Sequence, residues 1–219
     1  MKADWNVAEA PGLNARVGLD ASSDVDTLAA LRSFAPLATP IICDNREEVF
    51  QRLESGAVEF AFMTAGNSHC AAVLDSFEHL SQRDVAIVGE FVLEPGTTRY
   101  LLLGQGHWRR DQLRFREGLQ AGPVWFDFPA LARGRTSVVF ALPDEPGALV
   151  RALGAISRRH LNLSNLEMRP PVDSQAVCTV VAEIDGYAHD EPVKSALDEL
   201  NRLARDVRVL GAYPAAAVE

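Results

Sequence analysis

A helix that begins with a glycine is the most informative feature of this sequence. The stretch FALPDEPGALVRALG, residues 140–154, passes from a strand-like run through two prolines to Gly147. Glycine weakens helix interiors, so a bare backbone here suggests that another molecule comes close. The free N–H groups of a helix N-terminus suit a carboxylate, and Leu149 and Val150 can form an apolar wall. The alternative is that Gly147 only shapes a turn and Leu149 only belongs to the core.

No other arrangement of reactive side chains competes with this helix start. The five histidines show no metal-ligand spacing with cysteines or acids. His69 and Cys70 are adjacent, so they cannot by themselves form a nucleophile–base pair. The sequence has no P-loop and no dinucleotide-binding fingerprint. We therefore expect neither a metal nor another cofactor.

The composition is typical of a globular protein with a substantial core. The 219 residues are 47% hydrophobic and 23% charged, with a net charge of −9. No apolar run approaches the roughly 20 residues of a membrane span, and the first residues lack the apolar region of a secretory signal. The acidic balance argues against nonspecific nucleic-acid binding. Three scattered cysteines, Cys43, Cys70 and Cys178, predict reduced thiols in a cytoplasm.

The elements that position these residues fall into two groups. Residues 1–14 are expected to form a mobile tail, and residues 15–103 alternate strands with helices, which predicts a parallel or mixed sheet. PIICD is expected to be a buried strand, NREEVFQRLESG a helix capped by Asn45 and ended by Gly56, and a further helix is expected over 68–80. Residues 104–135 carry six basic and three acidic side chains. They predict a basic linker, either simply solvated or facing an anionic ligand.

The second group begins after this linker and has a different order. TSVVFAL, LNLSNLEM, AVCTVVAEID and VRVLGAY predict strands. Helices are predicted at EPGALVRALGAISRRH and EPVKSALDELNRLA, the second with a proline in its first turn. Residues 136–214 thus have the order βαββαβ, which is the ferredoxin-like split βαβ arrangement and an α+β fold.

This C-terminal segment resembles an ACT domain, the amino-acid-sensing module of metabolic enzymes, in the version found in prephenate dehydratases. LPDEPGAL is similar to that family's LPNEPGAL, LNLSNLEMRP to INLTKIESRP, and VRVLGAYP to VKVLGSYP. The resemblance implies a phenylalanine site between two subunits, and hence a homodimer through the ACT domain. Carried over residue by residue, that site consists of Gly147, Ala148, Leu149, Val150, Asn162, Leu163, Glu167, Met168, Arg169 and Pro170. Met168 replaces the family serine, which leaves the preferred amino acid open.

The N-terminal segment resembles one lobe of the prephenate dehydratase catalytic region, which implies a single lobe of a periplasmic-binding-protein-like α/β fold. EEVFQRLESGAVEFAFMTAGNS, VAIVGEFVLE and GTTRYLLLG follow the family motifs in the same order. In the family the chain crosses to a second lobe after the IVGE strand. Here IVGEFVLE leads almost directly into GTTRY, so the resemblance implies a truncated region without the second lobe.

The resemblance also assigns catalytic residues. The threonine that assists the leaving hydroxyl corresponds to Thr98, followed by Arg99 and Tyr100, and Arg99 would anchor a substrate carboxylate. The remaining candidates are Asn67, Ser68 and Ser22. Three family positions differ, with Thr64, Gly66 and Gly96 in place of proline, glutamate and asparagine.

Two hypotheses follow from these observations. In the first, the protein is a prephenate dehydratase-like enzyme of phenylalanine biosynthesis with a phenylalanine-binding ACT domain. In the second, it is a catalytically silent aromatic amino-acid sensor that regulates a partner enzyme. The first hypothesis implies two small-molecule ligands, prephenate and L-phenylalanine, and the second implies the amino acid alone. Neither hypothesis implies that the protein binds nucleic acid or a membrane.

Overall fold

The structure is a computed structural model of the 219-residue chain. It describes residues 15–21, 25–66, 80–92, 98–105, 133–169 and 177–215. The predicted tail 1–14, most of the predicted helix 68–80 and the linker residues 106–132 lie outside the described residues. So do Cys70 and four predicted site residues, Ser22, Asn67, Ser68 and Pro170.

The N-terminal lobe, residues 15–105, contains one five-stranded mixed sheet. Its elements are β1 (Arg16–Asp20), α1 (Val25–Phe34), β2 (Thr39–Cys43), α2 (Arg46–Glu54), β3 (Phe60–Gly66), β4 (Val85–Val92) and β5 (Arg99–Gln105). The strand order is β2-β1-β3-β5-β4, with β1 parallel to β2 and β3, and β5 antiparallel to β3 and β4. This confirms the predicted alternation and mixed sheet, and β4 and β5 lie side by side.

Local sequence explains where α2 begins and ends. The Oδ1 atom of Asn45 accepts a hydrogen bond from the backbone N–H of Glu48 at 2.9 Å, and the Glu48 carboxylate accepts one from the backbone N–H of Asp44 at 2.7 Å. Both bonds satisfy N–H groups that have no partner within the helix. Gly56 follows with a φ of 74°, a left-handed conformation that glycine adopts without strain. The predicted cap and stop are confirmed.

The prediction that β2 is a buried strand is wrong. β2 lies at the edge of the sheet, and the side chain of Ile42 is 55% exposed, whereas Cys43 is buried. An unbroken apolar run is typical of a strand covered on both faces. Among the described strands, β2 pairs only with β1, and Ile42 points away from the core.

The C-terminal domain, residues 134–215, contains the predicted βαββαβ order. Its elements are β6 (Gly134–Pro143), α3 (Ala148–Ser157), β7 (Leu163–Arg169), β8 (Val177–Asp185), α4 (Glu191–Leu203) and β9 (Arg205–Pro214). The sheet is antiparallel throughout, with the order β7-β8-β6-β9. The first sheet ends at Gln105 and the second begins at Gly134. Each sheet therefore extends two residues into the segment 104–135 predicted to be a linker.

The two faces of the second sheet have different partners. Helices α3 and α4 cover one face with apolar side chains such as Ala152, Ile156 and Leu200. The other face contributes Val139, Val181 and Tyr213 to the same apolar cluster as α2 and the first sheet. Burial of this shared surface joins the C-terminal domain to the N-terminal lobe.

Candidate functional site

Thr98 and Arg99 lie at the edge of the first sheet where β1 and β3 end. Arg99, the first residue of β5, pairs with Gly66 at the end of β3 and with Val92 at the end of β4. Thr98 precedes the strand and is half-buried, and Asp20 ends β1 at the same edge. In open α/β sheets, ligands bind beyond the carboxyl ends of the parallel strands. The predicted Thr98-Arg99 pair therefore lies where such a fold binds small molecules.

Arg99 forms ion pairs with both parts of the molecule. Its Nε donates to Oε1 of Glu90 on β4 at 2.6 Å, and its Nη2 donates to Oε1 of Glu183 on β8 at 2.9 Å. Burial lowers the pKa of Arg99, but attraction and hydrogen bonding to Glu183, together with attraction to Glu90, raise it above its ordinary value. Arg99 is therefore a permanent cation held by two carboxylates.

Two further residues extend this contact into an interdomain charge cluster, which comprises Glu90, Arg99, Arg135, Glu183 and Tyr213. Arg135 on β6 forms a second ion pair with Glu90. The hydroxyl of Tyr213 lies 2.7 Å from the Ser137 hydroxyl and donates to Oε1 of Glu183 at 3.4 Å. Burial raises the pKa of Tyr213 well above its ordinary value, and the charges of Glu183 and Glu90 raise it further. The cluster thus combines two cations, two anions and a neutral phenol.

Two buried polar atoms of the cluster have no protein partner among the described residues. The Nε atom of Arg135 and the Oε2 atom of Glu183 are buried and have no partner in the part of the chain that the structure describes. A buried donor or acceptor without a partner typically costs about 1–3 kcal/mol. Glu90 and Glu183 are the residues that the sequence analysis missed. The available signal was a glutamate in the middle of an apolar strand, in VAIVGEFV and VCTVVAEID.

The structure explains the glycine at the start of α3. Gly147 is the N-cap residue and has φ 80° and ψ 0°, a left-handed conformation that is costly for most other residues. A β-carbon there would lie 3.3 Å from the Arg151 guanidinium, the side chain that pairs with Glu145. The turn therefore requires glycine, and the exposed backbone at Gly147 also leaves room for a ligand.

The first turn of α3 divides between core and surface. Ala148 is buried, and Leu149 is half-buried and packs against the domain core. The side chain of Val150 is 74% exposed. Of the two residues predicted to form an apolar wall, Leu149 therefore contacts the core and Val150 faces outward.

The predicted ligand residues on and before β7 lie at two ends of the sheet. Arg169 pairs with Thr179 near the end where β6 leads into the Gly147 turn, whereas Leu163 pairs with Ile184 at the opposite end. Asn162 donates to the Asp185 carboxylate at 2.8 Å at that opposite end. Within one chain, the structure therefore brings Gly147 and Arg169 toward the same end and separates them from Asn162 and Leu163.

Glu167 and Met168 lie between these two ends. The Glu167 carboxylate accepts a hydrogen bond from the amide of Asn165 at 3.3 Å. Met168 is 51% exposed, and β7 is an edge strand of the sheet. These residues lie on a partly apolar edge strand, with Glu167 half-buried and Met168 exposed.

The described residues contain no group of three or more potential metal ligands. No described helix has the length and apolar character needed to cross a membrane.

Part of the N-terminal lobe is similar in sequence to a known protein family. Residues 26–107 match the family model described as prephenate dehydratase. The prephenate dehydratase of Mycolicibacterium smegmatis is 40% identical over 86 residues, which are 39% of this chain and 28% of that protein. The chain thus matches little more than a quarter of the length of such curated relatives.

Solved structures are similar over most of the chain. The prephenate dehydratase of Streptococcus mutans has a TM-score of 0.69 and 25% identity, covering 92% of this chain and 98% of that one. The prephenate dehydratase of Arthrobacter aurescens in complex with L-Phe has a TM-score of 0.72 and 20% identity, covering 93% and 91%. A protein described as GqqA, a novel type of quorum quenching acylase, has a TM-score of 0.73 and 24% identity, covering 92% and 95%. The last two similarities show the fold alone.

Together, the sheets and the matched segment define an α/β protein of dehydratase architecture. Residues 26–107 match the prephenate dehydratase family, and the fold is similar to that of solved prephenate dehydratases over most of the chain.

Proposed function

We propose that the protein converts prephenate to phenylpyruvate in phenylalanine biosynthesis. The observation that carries this proposal is the position of Thr98, within the family-matched segment and at the carboxyl edge of β1 and β3. In the reaction, the carbon–carbon bond to the ring carboxylate breaks and releases carbon dioxide. The electron pair completes the aromatic ring and expels the ring hydroxyl. Thr98 donates its proton to that leaving hydroxyl, which departs as water, and the Thr98 oxygen regains a proton from solvent. Ser22, Asn67 and Ser68 contribute further polar groups.

The role of Arg99 is more restricted than the resemblance implies. Its guanidinium contacts Glu90 and Glu183, and the Arg99 side chain is only 19% exposed. To bind a substrate carboxylate directly, Arg99 has to exchange one of these partners or use a remaining N–H group. We propose that Arg99 supplies a positive charge beside the bound substrate and contributes only part of the interactions that hold the prephenate carboxylate.

We further propose that the N-terminal lobe lacks the second lobe of the family's catalytic region. In support, β4 and β5 are adjacent antiparallel strands, and only residues 93–98 lie between them. A cleft with one wall is open to water, which weakens electrostatic stabilisation of the transition state. We therefore expect low activity that depends on association of two chains.

The C-terminal domain is proposed to be an ACT domain that binds L-phenylalanine. Its βαββαβ order and the Gly147 turn support this proposal, as does the L-Phe complex of a structural relative. Gly147 and Arg169 lie toward one end of the sheet and Asn162 toward the other, so a complete site takes residues from two chains. A cytoplasmic homodimer is the proposed state.

A specific observation favours a second function, that of a silent aromatic amino-acid sensor which regulates a partner enzyme. The best candidate for a substrate anchor, Arg99, already pairs with two carboxylates. The discriminating experiment is to mix the purified protein with prephenate and to measure phenylpyruvate in alkali. Turnover that persists through purification supports the enzyme, and rates equal to spontaneous breakdown support the sensor.

A further inference from the structure

Glu183 belongs to the C-terminal domain but points out of that domain's own core. Val180, Ala182 and Ile184 on β8 pack with α3 and α4, and Glu183 alternates with them on the opposite face. Its side chain is 1% exposed. An ionised carboxylate is costly to bury unless a cation and hydrogen bonds accompany it. The cation that contacts Glu183 is Arg99, which comes from the N-terminal lobe.

Arg99 connects Glu183 to Thr98, because it pairs with Glu183 and is the next residue after Thr98. The backbone of Arg99 pairs with Gly66 and Val92, and these pairs are the last in the described ladders at this edge. Thr98 follows immediately outside the sheet. Because the Arg99 guanidinium is held by Glu90 from one side and by Glu183 from the other, the start of β5 has little freedom to twist or fray. The Thr98 hydroxyl is then presented in a restricted direction.

The burial of the Arg99–Glu183 ion pair favours a role beyond stability. Glu183 is 1% exposed and its Oε1 lies 2.9 Å from Nη2 of Arg99. Well-packed apolar residues in place of a buried ion pair often give equal or greater stability. A positioning function for the charges is therefore favoured.

We propose that Glu183 is a positioning residue for the reaction at Thr98, acting through Arg99. The inference rests on the proposed dehydratase function. Glu183 does not touch substrate, and its effect is to fix the strand end from which Thr98 acts. The C-terminal domain is therefore a part of the catalytic site as well as the proposed ligand-binding domain.

The test compares Glu183→Gln with Glu199→Gln in the full chain. Glutamine keeps the shape of Glu183 and can still accept a hydrogen bond, but it removes the charge. Glu199 is a matched control, because it lies in the same domain and pairs with Arg158 and Arg159 away from the cluster. Two quantities are measured, the amide hydrogen exchange of residues 98–103 and the kinetic constants on prephenate.

For Glu183→Gln we expect exchange in residues 98–103 to become roughly tenfold to a hundredfold faster, as for loss of one charged hydrogen bond. We expect kcat to fall about tenfold or more, with KM within about twofold of the wild-type value. Glu199→Gln should change neither. Wild-type exchange in a folded Glu183→Gln protein overturns the inference, and so does faster exchange with an unchanged kcat.

A wild-type protein without prephenate turnover contradicts the dehydratase function, and with it a catalytic role for Glu183. The exchange comparison then still decides whether Glu183 holds the strand. If Glu183→Gln does not fold, Tyr213→Phe replaces it, because it removes the hydroxyl that donates to Glu183 and keeps the aromatic packing. The same changes are expected in smaller size, and wild-type exchange together with wild-type kcat in Tyr213→Phe contradicts the inference.

Discussion

Gly211 on β9 lies directly against the backbone of Ile87 on β4. A β-carbon at Gly211 would overlap the Ile87 carbonyl oxygen and lie 2.8 Å from its Cβ atom. This contact joins the edge strand of one sheet to the edge strand of the other. Glycine is therefore needed at position 211 because a second backbone occupies the space.

We expect Gly211→Ala to destabilise the protein by about 1–3 kcal/mol, since the backbone of β4 cannot move aside cheaply. The measurement is the free energy of unfolding from urea titration. Gly154→Ala is the matched control, because its β-carbon would meet only the flexible end of the Arg158 side chain. In a helix interior that change should be neutral or stabilising by up to about 1 kcal/mol. Equal stability of wild type and Gly211→Ala contradicts a close packing of the two strands.

Phenylalanine should raise the melting temperature of the wild-type protein, because a ligand that binds only the folded state stabilises it. Gly147→Asn should remove that shift, since asparagine tolerates a left-handed backbone but places a side chain in the proposed site. Valine at this position would confuse the result, because a β-branched residue is strained there. Gly56→Asn, at a similar φ in the N-terminal lobe, should keep the full shift. A full shift in Gly147→Asn places the ligand elsewhere.

Thr98→Val should lower the rate on prephenate about a hundredfold or more, because it deletes the hydroxyl and keeps the shape and the strand preference. Thr39→Val, on the exposed edge strand β2, is the matched control and should retain the wild-type rate. Rates are corrected for spontaneous breakdown of prephenate. Equal rates above that background in wild type and Thr98→Val remove Thr98 from the mechanism.

The protein should be a homodimer at micromolar concentration, measured by light scattering after gel filtration with and without phenylalanine. Met168→Asp should shift it toward monomer, because it places a charge on the exposed edge strand β7 of the C-terminal domain. Ile42→Asp introduces the same charge on the edge of the other sheet and should leave the dimer intact. A monomeric wild-type protein contradicts the proposed site between two chains.

Alkaline pH should destabilise the fold through Tyr213. Its folded-state pKa is raised by burial and by the charges of Glu183 and Glu90. Below the unfolded value of about 10 the phenol is neutral in both states, and its contribution to stability is fully present. Above that value only the unfolded state loses the proton, so the free energy of unfolding falls by about 1.4 kcal/mol per pH unit.

Urea titrations between pH 8 and pH 11 test this effect. Tyr213→Phe should flatten the alkaline decline relative to wild type. Parallel profiles for wild type and Tyr213→Phe contradict an ionisation coupled to folding at Tyr213.

Much of the local structure follows from the sequence alone. Strand and helix order, the Asn45 cap and the βαββαβ order depend on side-chain periodicity and on backbone preferences, which neighbouring residues determine. The motif around Thr98 likewise indicates the resemblance to prephenate dehydratases, which the match over residues 26–107 supports. These features are local, so the sequence carries them without knowledge of the packing.

Only the tertiary structure decided what the charged and edge residues contact. The partners of Arg99 include Glu183, which is 84 positions away, and no local pattern specifies which distant charge a side chain meets. Ile42 is exposed because β2 is the last strand of its sheet. The apolar composition of β2 does not specify where the strand lies in the strand order. Gly211 depends in the same way on the approach of Ile87. Such contacts join segments that are far apart in the chain. Their energy depends on which side chains the fold brings together and how deeply it buries them, whereas a local pattern indicates only that a residue tends to be buried.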